Sequence, residues 1–419
     1  MALSVIEGIL LFVLGIPVVM RYRILPIVGT PYWLFGILFL VLIANLVVSL
    51  YPSVIRSTLR LERIKAVFLW VAITITLGGS VVTSIVDRSN TAPIYGVHDI
   101  ILQQEAAIRY LLEGKNPYKE LYFGTPLEQW HYDELGKKVI NPALYHFVMP
   151  PWYLLFPLPF YFISTPIFGY FDGRMVLLFC VVGTLIVLFR SFKNKSIAHL
   201  AIIIIALSPA TVDYLIEGRS DIFALFWFIL SIFILEKKRL ILSSIVFALA
   251  LVSKQSIWIA IPFFLFYQWQ THKKTIKSVL ISICVIGFIL GVIAGPFLLW
   301  DAKSFADSVV FYLSGNTSNS YPISGYGLGM VLYEFGGIRD IHAYYPFIVW
   351  QTFLGLPVLG VTLWFFTKKP SISRLILGYA AALFVVWYLS RYFNNSHLGY
   401  LSSVFALGAL KSIDETEKS

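Results

Sequence analysis

The stretch Tyr95-Gly-Val-His-Asp-Ile-Ile-Leu-Gln-Gln-Glu-Ala-Ala-Ile-Arg-Tyr-Leu-Leu-Glu-Gly-Lys-Asn-Pro-Tyr118 opens the first long polar segment of a very apolar chain. Over residues 98–113 the side chains sort at helical spacing into two faces. His98, Asp99, Gln103, Glu105, Arg109 and Glu113 fall on one side. Ile100, Ile101, Ala107, Ile108, Leu111 and Leu112 fall on the other, and only Leu102 and Gln104 stray. The spacing predicts an amphipathic helix lying along a membrane surface, apolar face in lipid and charged face in water. Gly114 suits its C-cap, and Asn116-Pro117 stops the chain continuing as helix. A carboxylate at the start of such a helix sits where a lipid-linked substrate presents its polar head. The plain alternative is a solvated face with no chemistry.

The rest of the chain sets the class. Its 419 residues are 58% hydrophobic, 16% aromatic and only 13% charged, with a mean hydropathy of +0.80. This is the composition of an all-α integral membrane protein, for which counting soluble domains by length does not apply. Apolar segments of helix length fall near 5–20, 31–50, 66–86, 172–190, 197–214, 220–235, 239–253, 255–270, 276–298, 344–366, 374–390 and 396–411. The fold expected is therefore about twelve transmembrane helices. The first run has no basic prefix and no cleavage site, and reads as a retained helix.

The net charge of +10 does not point to nucleic acid, because it is dispersed in short loops. Arg56, Arg60, Arg63 and Lys65 share one loop; Arg190, Lys193 and Lys195 another; Lys237, Lys238 and Arg239 a third. Lys273, Lys274 and Lys277 follow, then Lys368, Lys369 and Arg374, then Lys411 and Lys418. With twelve spans and an inside N-terminus all of these become cytoplasmic, as the positive-inside rule requires; only Arg21 and Arg23 oppose it. Residues 147–169 are apolar but carry Pro150, Pro151, Pro157, Pro159 and Pro166, so they are read as an embedded helix pair that does not cross. Residues 1–65 look like a two-helix addition, 66–411 like the main module, and 412–419 like a disordered cytoplasmic tail.

Under this topology the unusual polar residues gather on the external side, in 87–171, 213–221, 253–256, 299–343 and 390–397. Asp99 is the leading candidate for a general base, with His98 beside it to orient or polarise and Glu105 on the neighbouring strip. Asp87 is a weaker candidate. In Glu217-Gly-Arg-Ser-Asp221, Arg219 suits a phosphate and Asp221 suits either an ion pair or a helix cap. Lys254-Gln255 between two apolar half-helices is costly unless it meets phosphate, water or a carboxylate. Arg391 and His397 are further phosphate-clamp candidates, with interfacial anchoring as the alternative. Cys180 and Cys284 lie in apolar spans and imply neither disulfide nor metal. No Asp-X-Asp pair marks the loop after the third span, so no metal or cofactor is expected.

The run Ala106-Ala-Ile-Arg-Tyr-Leu-Leu-Glu-Gly-Lys-Asn-Pro-Tyr118 is followed by Pro150-Pro-Trp-Tyr-Leu-Leu155, Gly218-Arg-Ser-Asp221 and Leu251-Val-Ser-Lys-Gln255. In this order the motifs resemble the GT-C superfamily of membrane glycosyltransferases. The likeness is strongest to its polyprenyl-phosphate-mannose-dependent, mannosyltransferase-like branch. It extends over about residues 66–400, and Tyr145, Pro150, Pro151 and Tyr153 fit the branch's Tyr-x-x-Pro-Pro-x-x-Tyr pattern loosely. The resemblance implies external juxtamembrane helices bounding a lipid-accessible cavity, and inverting transfer of a hexose from a polyprenyl-phosphate donor. It places Asp99 at the catalytic base. Arg219, Lys254 and Arg391 or His342 would hold the donor phosphate, and Tyr118, Asp221 and Gln255 would contact substrate. The chain departs from the pattern in having one acidic residue in Val97-His-Asp-Ile100, where many relatives have two.

The expected partners are thus a polyprenyl-phosphate sugar, a lipid-linked or cell-envelope acceptor and membrane lipid. The expected location is a plasma membrane, with the site on its extracytoplasmic face. Two other readings stand beside this one: a transporter or flippase for a lipid-linked sugar, and a non-catalytic subunit of an envelope assembly. A transporter would need access from both sides and symmetric halves with broken helices.

Overall fold

A computed structural model describes residues 2–22, 32–55, 57–134, 136–272 and 274–417. Arg23, Arg56, Lys273 and Lys418 of the charge pattern lie outside the described residues. The apolar runs fold as helices because a segment in lipid must satisfy its peptide groups internally. Among the described residues, five helices are long and apolar enough to cross a membrane: Tyr32–Leu50, Thr58–Asn90, Arg174–Ser191, Ile276–Ser314 and Phe347–Lys368. Shorter apolar helices, among them Leu3–Val18, Lys195–Leu207, Leu240–Leu251 and Ile372–Tyr388, pack between them. The protein is a mostly helical, membrane-embedded bundle.

The bundle has two unlike ends. At one, Lys411 reaches the Ser191 carbonyl at 2.7 Å and Glu236 at 2.9 Å, while Asp414 accepts the Lys193 and Asn194 N–H groups at 3.0 Å each. These bonds hold the last helix, Asn395–Thr416, in register to its end. The tail expected to be disordered from Ser412 is therefore helical through Thr416, because Asp414 caps a neighbouring turn. At the same end, Glu7 pairs with Lys65 at 2.7 Å and with His199 Nδ1 at 2.8 Å, all three buried. Lys65, read as a loop charge, lies inside the Thr58–Ile73 helix, so the division at residue 65 falls within that helix.

The other end is irregular and holds the polar segments. Here the Asp99–Leu112 helix ends on Glu113 and on Gly114, whose φ is +73°. It departs from expectation in its surroundings. Residues Ile100 through Ile108 are all buried, Gln103, Gln104 and Glu105 included. Gln103 donates to the Ala143 and His146 carbonyls at 2.5 and 2.7 Å, and Gln104 to the Tyr153 carbonyl at 2.7 Å. From Ile100 to Ile108 its polar face is thus packed against protein, not laid in water.

A buried charge network fixes that helix to the bundle. Arg88 grips Glu105 with both terminal nitrogens, at 2.8 and 2.7 Å, and reaches Asp172 at 2.9 Å. Arg174, fully buried, binds Asp172 at 2.8 Å and donates to the Gly96 and Ile216 carbonyls. The proline-rich segment begins and ends at this same end. Trp152 N–H donates to the Val252 carbonyl at 3.0 Å, and Asp172 closes the ion network. Its helices, Trp152–Leu155 and Leu158–Phe168, lie between those two anchors in the chain.

Candidate active site

His98 and Asp99 start the Asp99–Leu112 helix. The His98 N–H donates to the Glu217 carbonyl at 2.8 Å, which sets the helix start beside the turn at 218–221. Nδ1 of His98 lies 2.6 Å from Asp99 Oδ1, so this nitrogen carries the proton. The Ile100 N–H approaches the same nitrogen at 3.4 Å and, with the proton so placed, finds no acceptor there. Asp99 Oδ2 accepts from the Asn141 side-chain amide at 2.9 Å. Burial resists ionisation of Asp99, but His98, Asn141 and Arg219 outweigh it and bring its pKa down to about 2. The first turn of a helix also favours a negative side chain. Trp130 stands 5.6 Å from the His98 ring and is held by its own bond to the Val97 carbonyl.

Cationic groups come from two other turns that line the same space. Gly218, at φ +91°, makes a bend where a side chain would run into Ile101 and Arg174. Arg219 follows, its guanidinium 4.6 Å from the Tyr214 ring and 3.7 Å from the Glu217 carboxylate. Its Nε is buried with no hydrogen-bond partner, an arrangement that an anion would complete. Lys254 meets Asp221 at 2.6 Å and Ser220 Oγ at 3.3 Å. Gln255 spends its amide nitrogen on the Val148 and Val309 carbonyls at 2.9 Å each, bracing the floor. His397 accepts the Asn394 N–H at Nδ1 in a capping box.

Aromatic rings and a small sheet close the remaining side. Strand β3 (Ser324–Gly325) pairs in parallel with β4 (Tyr392–Phe393), tying the loop after residue 314 to the last inter-helix turn. Gly325, at φ +87°, is required there because a side chain would strike the Phe393 carbonyl. Tyr321 lies 5.7 Å from Tyr132 and 4.8 Å from Tyr392. A hairpin, β1 (Tyr132–Glu134) with β2 (Lys137–Val139), carries Tyr132 to the rim.

Together these segments enclose a cavity of about 430 Å³. His98, Asp99, Arg219, Asp221, Lys254, Gln255 and His397 all line it, so four stretches distant in sequence do meet. Trp130, Tyr132, Tyr312, Tyr321, Tyr326 and Tyr392 line it too, and sequence reasoning missed them. The aromatic residues at 130–132, 312–326 and 392 were their only signal in the sequence.

Four expected site residues stand elsewhere. Glu105 is held bidentately by Arg88 and accepts the Gly173 N–H, which leaves it structural. Tyr118 is buried among Phe147, Phe297 and Phe305 and donates to the Met149 carbonyl at 2.9 Å. His342 is exposed and pairs with Glu134 at 2.6 Å, outside the cavity. Arg391 is buried and turned away, donating to the Tyr321, Ala343, Ile341 and His342 carbonyls. Burial lowers its pKa to about 10. Among the described residues no three His, Cys, Asp or Glu side chains are arranged to hold a metal ion.

Compared with protein-family models, curated proteins and solved structures, the chain matches none.

Proposed function

We propose that the chain is a GT-C-type membrane glycosyltransferase that moves a hexose, mannose by the motif resemblance, from a polyprenyl-phosphate donor to a hydroxyl of a lipid-linked or cell-envelope acceptor. One observation carries the reading. A single cavity is lined by the His98–Asp99 pair and by Lys254 and Arg219, whose Nε is buried without a hydrogen-bond partner. Transfer of a glycosyl group from a phosphate needs these two functions: a group to take the acceptor's proton and fixed positive charge for the departing phosphate. The aromatic wall between them offers faces on which a sugar ring can stack. The acceptor oxygen attacks the anomeric carbon from the side opposite the phosphate, which inverts the configuration.

In this reading the chain crosses a plasma membrane twelve times, with both termini cytoplasmic and the cavity on the extracytoplasmic face. The alternation of helices between the two bundle ends supports it. So do Lys193, Lys195, Lys237, Lys238 and Lys411, all placed in turns or helix ends away from the cavity. The test is product identity in proteoliposomes given labelled polyprenyl-phosphate mannose. A transferase leaves free polyprenyl phosphate, whereas recovery of the intact lipid-linked sugar on the far leaflet would make the protein a transporter.

A further inference from the structure

Both oxygens of Asp99 are engaged. Oδ1 accepts from His98 Nδ1 at 2.6 Å and Oδ2 from Asn141 at 2.9 Å. Asn141 is itself buried, and its amide oxygen accepts the Ala143 N–H at 2.9 Å, which keeps its NH₂ group aimed at the carboxylate. A carboxylate engaged at both oxygens and held at about 2 is a poor acceptor of a hydroxyl proton near neutral pH.

His98 is placed in the complementary way. Its Nδ1 proton is committed to Asp99, which leaves Nε2 as the ring's basic nitrogen. The ring lines the cavity beside Trp130, and its backbone is fixed through the Glu217 carbonyl. No hydrogen bond engages Nε2 among the described residues. A carboxylate on one imidazole nitrogen sets the tautomer and stabilises the cation that forms when the other nitrogen takes a proton.

We infer that His98 Nε2 accepts the proton of the incoming hydroxyl and that Asp99 is a positioning residue for the imidazole. The inference rests on the glycosyl-transfer reading. The acceptor O–H proton passes to Nε2 while the acceptor oxygen bonds to the anomeric carbon. The bond from that carbon to the phosphate oxygen breaks, and its electron pair leaves with the polyprenyl phosphate beside Arg219 and Lys254. The imidazolium, held by Asp99, then returns its proton to water.

The test uses the full chain in proteoliposomes, with labelled polyprenyl-phosphate mannose or glucose as donor and an octyl hexoside as acceptor. His98→Ala lowers kcat by about 10²- to 10⁴-fold with donor KM unchanged. Added imidazoles restore part of the loss, and the restored rate rises with the pKa of the imidazole supplied. Asp99→Asn also lowers kcat but is not rescued. Near-wild-type turnover by His98→Ala, or a folded, donor-binding His98→Ala that no imidazole rescues, overturns the assignment and returns the base to Asp99. Nitrogen-15 NMR of His98 in micelles tests the premise without substrate. In the neutral ring Nδ1 protonated and Nε2 bare is the expected pattern, and the opposite tautomer overturns the proposal. Wild-type protein that shows the expected pattern yet consumes neither donor overturns the transfer reading, and with it the role given to His98.

Discussion

The His98 N–H donates to the Glu217 carbonyl at 2.8 Å, and through this bond the His98–Asp99 side of the cavity and the turn that carries Arg219 share one anchor. Gly218 lies directly after the acceptor, and Ile101, two residues after Asp99, packs where a Gly218 side chain would project. The spacing between Asp99 and Arg219 is thus set by backbone and core packing before any ligand arrives. Such preorganisation matters because small displacements of reacting groups are expensive in rate.

Gly218→Ala tests that anchor. The residue adopts φ +91°, and an added methyl group meets both Ile101 and Arg174. Left-handed strain and overpacking together cost about 3 kcal/mol. Thermal unfolding in detergent should show the loss of stability. Turnover should fall further than stability accounts for, because the two walls move apart.

Arg219→Ala should separate binding from folding. The guanidinium makes no side-chain hydrogen bond that the fold relies on, and its Nε is buried without a partner. Removing it therefore leaves the melting temperature close to wild type. Affinity for polyprenyl phosphate as a competitive inhibitor should weaken by about 10- to 100-fold, the value of one or two charge-assisted hydrogen bonds. Arg219→Lys recovers part of the loss, since a point charge lacks the planar fork.

The helices were legible in the sequence because the lipid constraint acts on composition and length alone. The apolar segments expected near 172–190 and 374–390 correspond to the helices Arg174–Ser191 and Ile372–Tyr388. Asp99, Arg219 and Lys254 were legible because a charge between apolar runs is costly and invites a reason. What failed was burial. Glu105 looks like part of a solvated strip only until Arg88 and Asp172, distant in sequence, are folded against it. Arg391 and Lys254 look alike in sequence, yet only one turns toward the cavity, and that depends on carbonyls in the 321–343 loop that no local pattern reveals.

The pH dependence of stability should carry the mark of Asp99. Its pKa is depressed from 3.8 to about 2, so its contribution is complete above pH 4 and is lost as pH falls through 2. The linkage is worth about 2 kcal/mol. Unfolding curves of wild type and Asp99→Asn should differ by roughly this amount near neutral pH and converge toward pH 2. A constant gap across that range would mean that the carboxylate is not ionised preferentially in the folded state.

Arg391→Ala should behave in the opposite way to Arg219→Ala, although both remove a cation from the same end of the bundle. The buried Arg391 side chain donates to four backbone carbonyls, at Tyr321, Ile341, His342 and Ala343, and so closes the loop that carries Tyr321 and β3. Leaving those carbonyls unpaired costs about 1–3 kcal/mol for each that water cannot reach. Limited proteolysis should therefore cut within 315–343 in the variant and not in wild type, and the melting temperature should fall. Arg391→Lys should not restore the loop, because one ammonium cannot span the positions that the fork reaches. Polyprenyl phosphate affinity should decline only as far as the loop is lost. A variant with intact loop and melting temperature but selectively weakened phosphate binding would instead place Arg391 in the anion site.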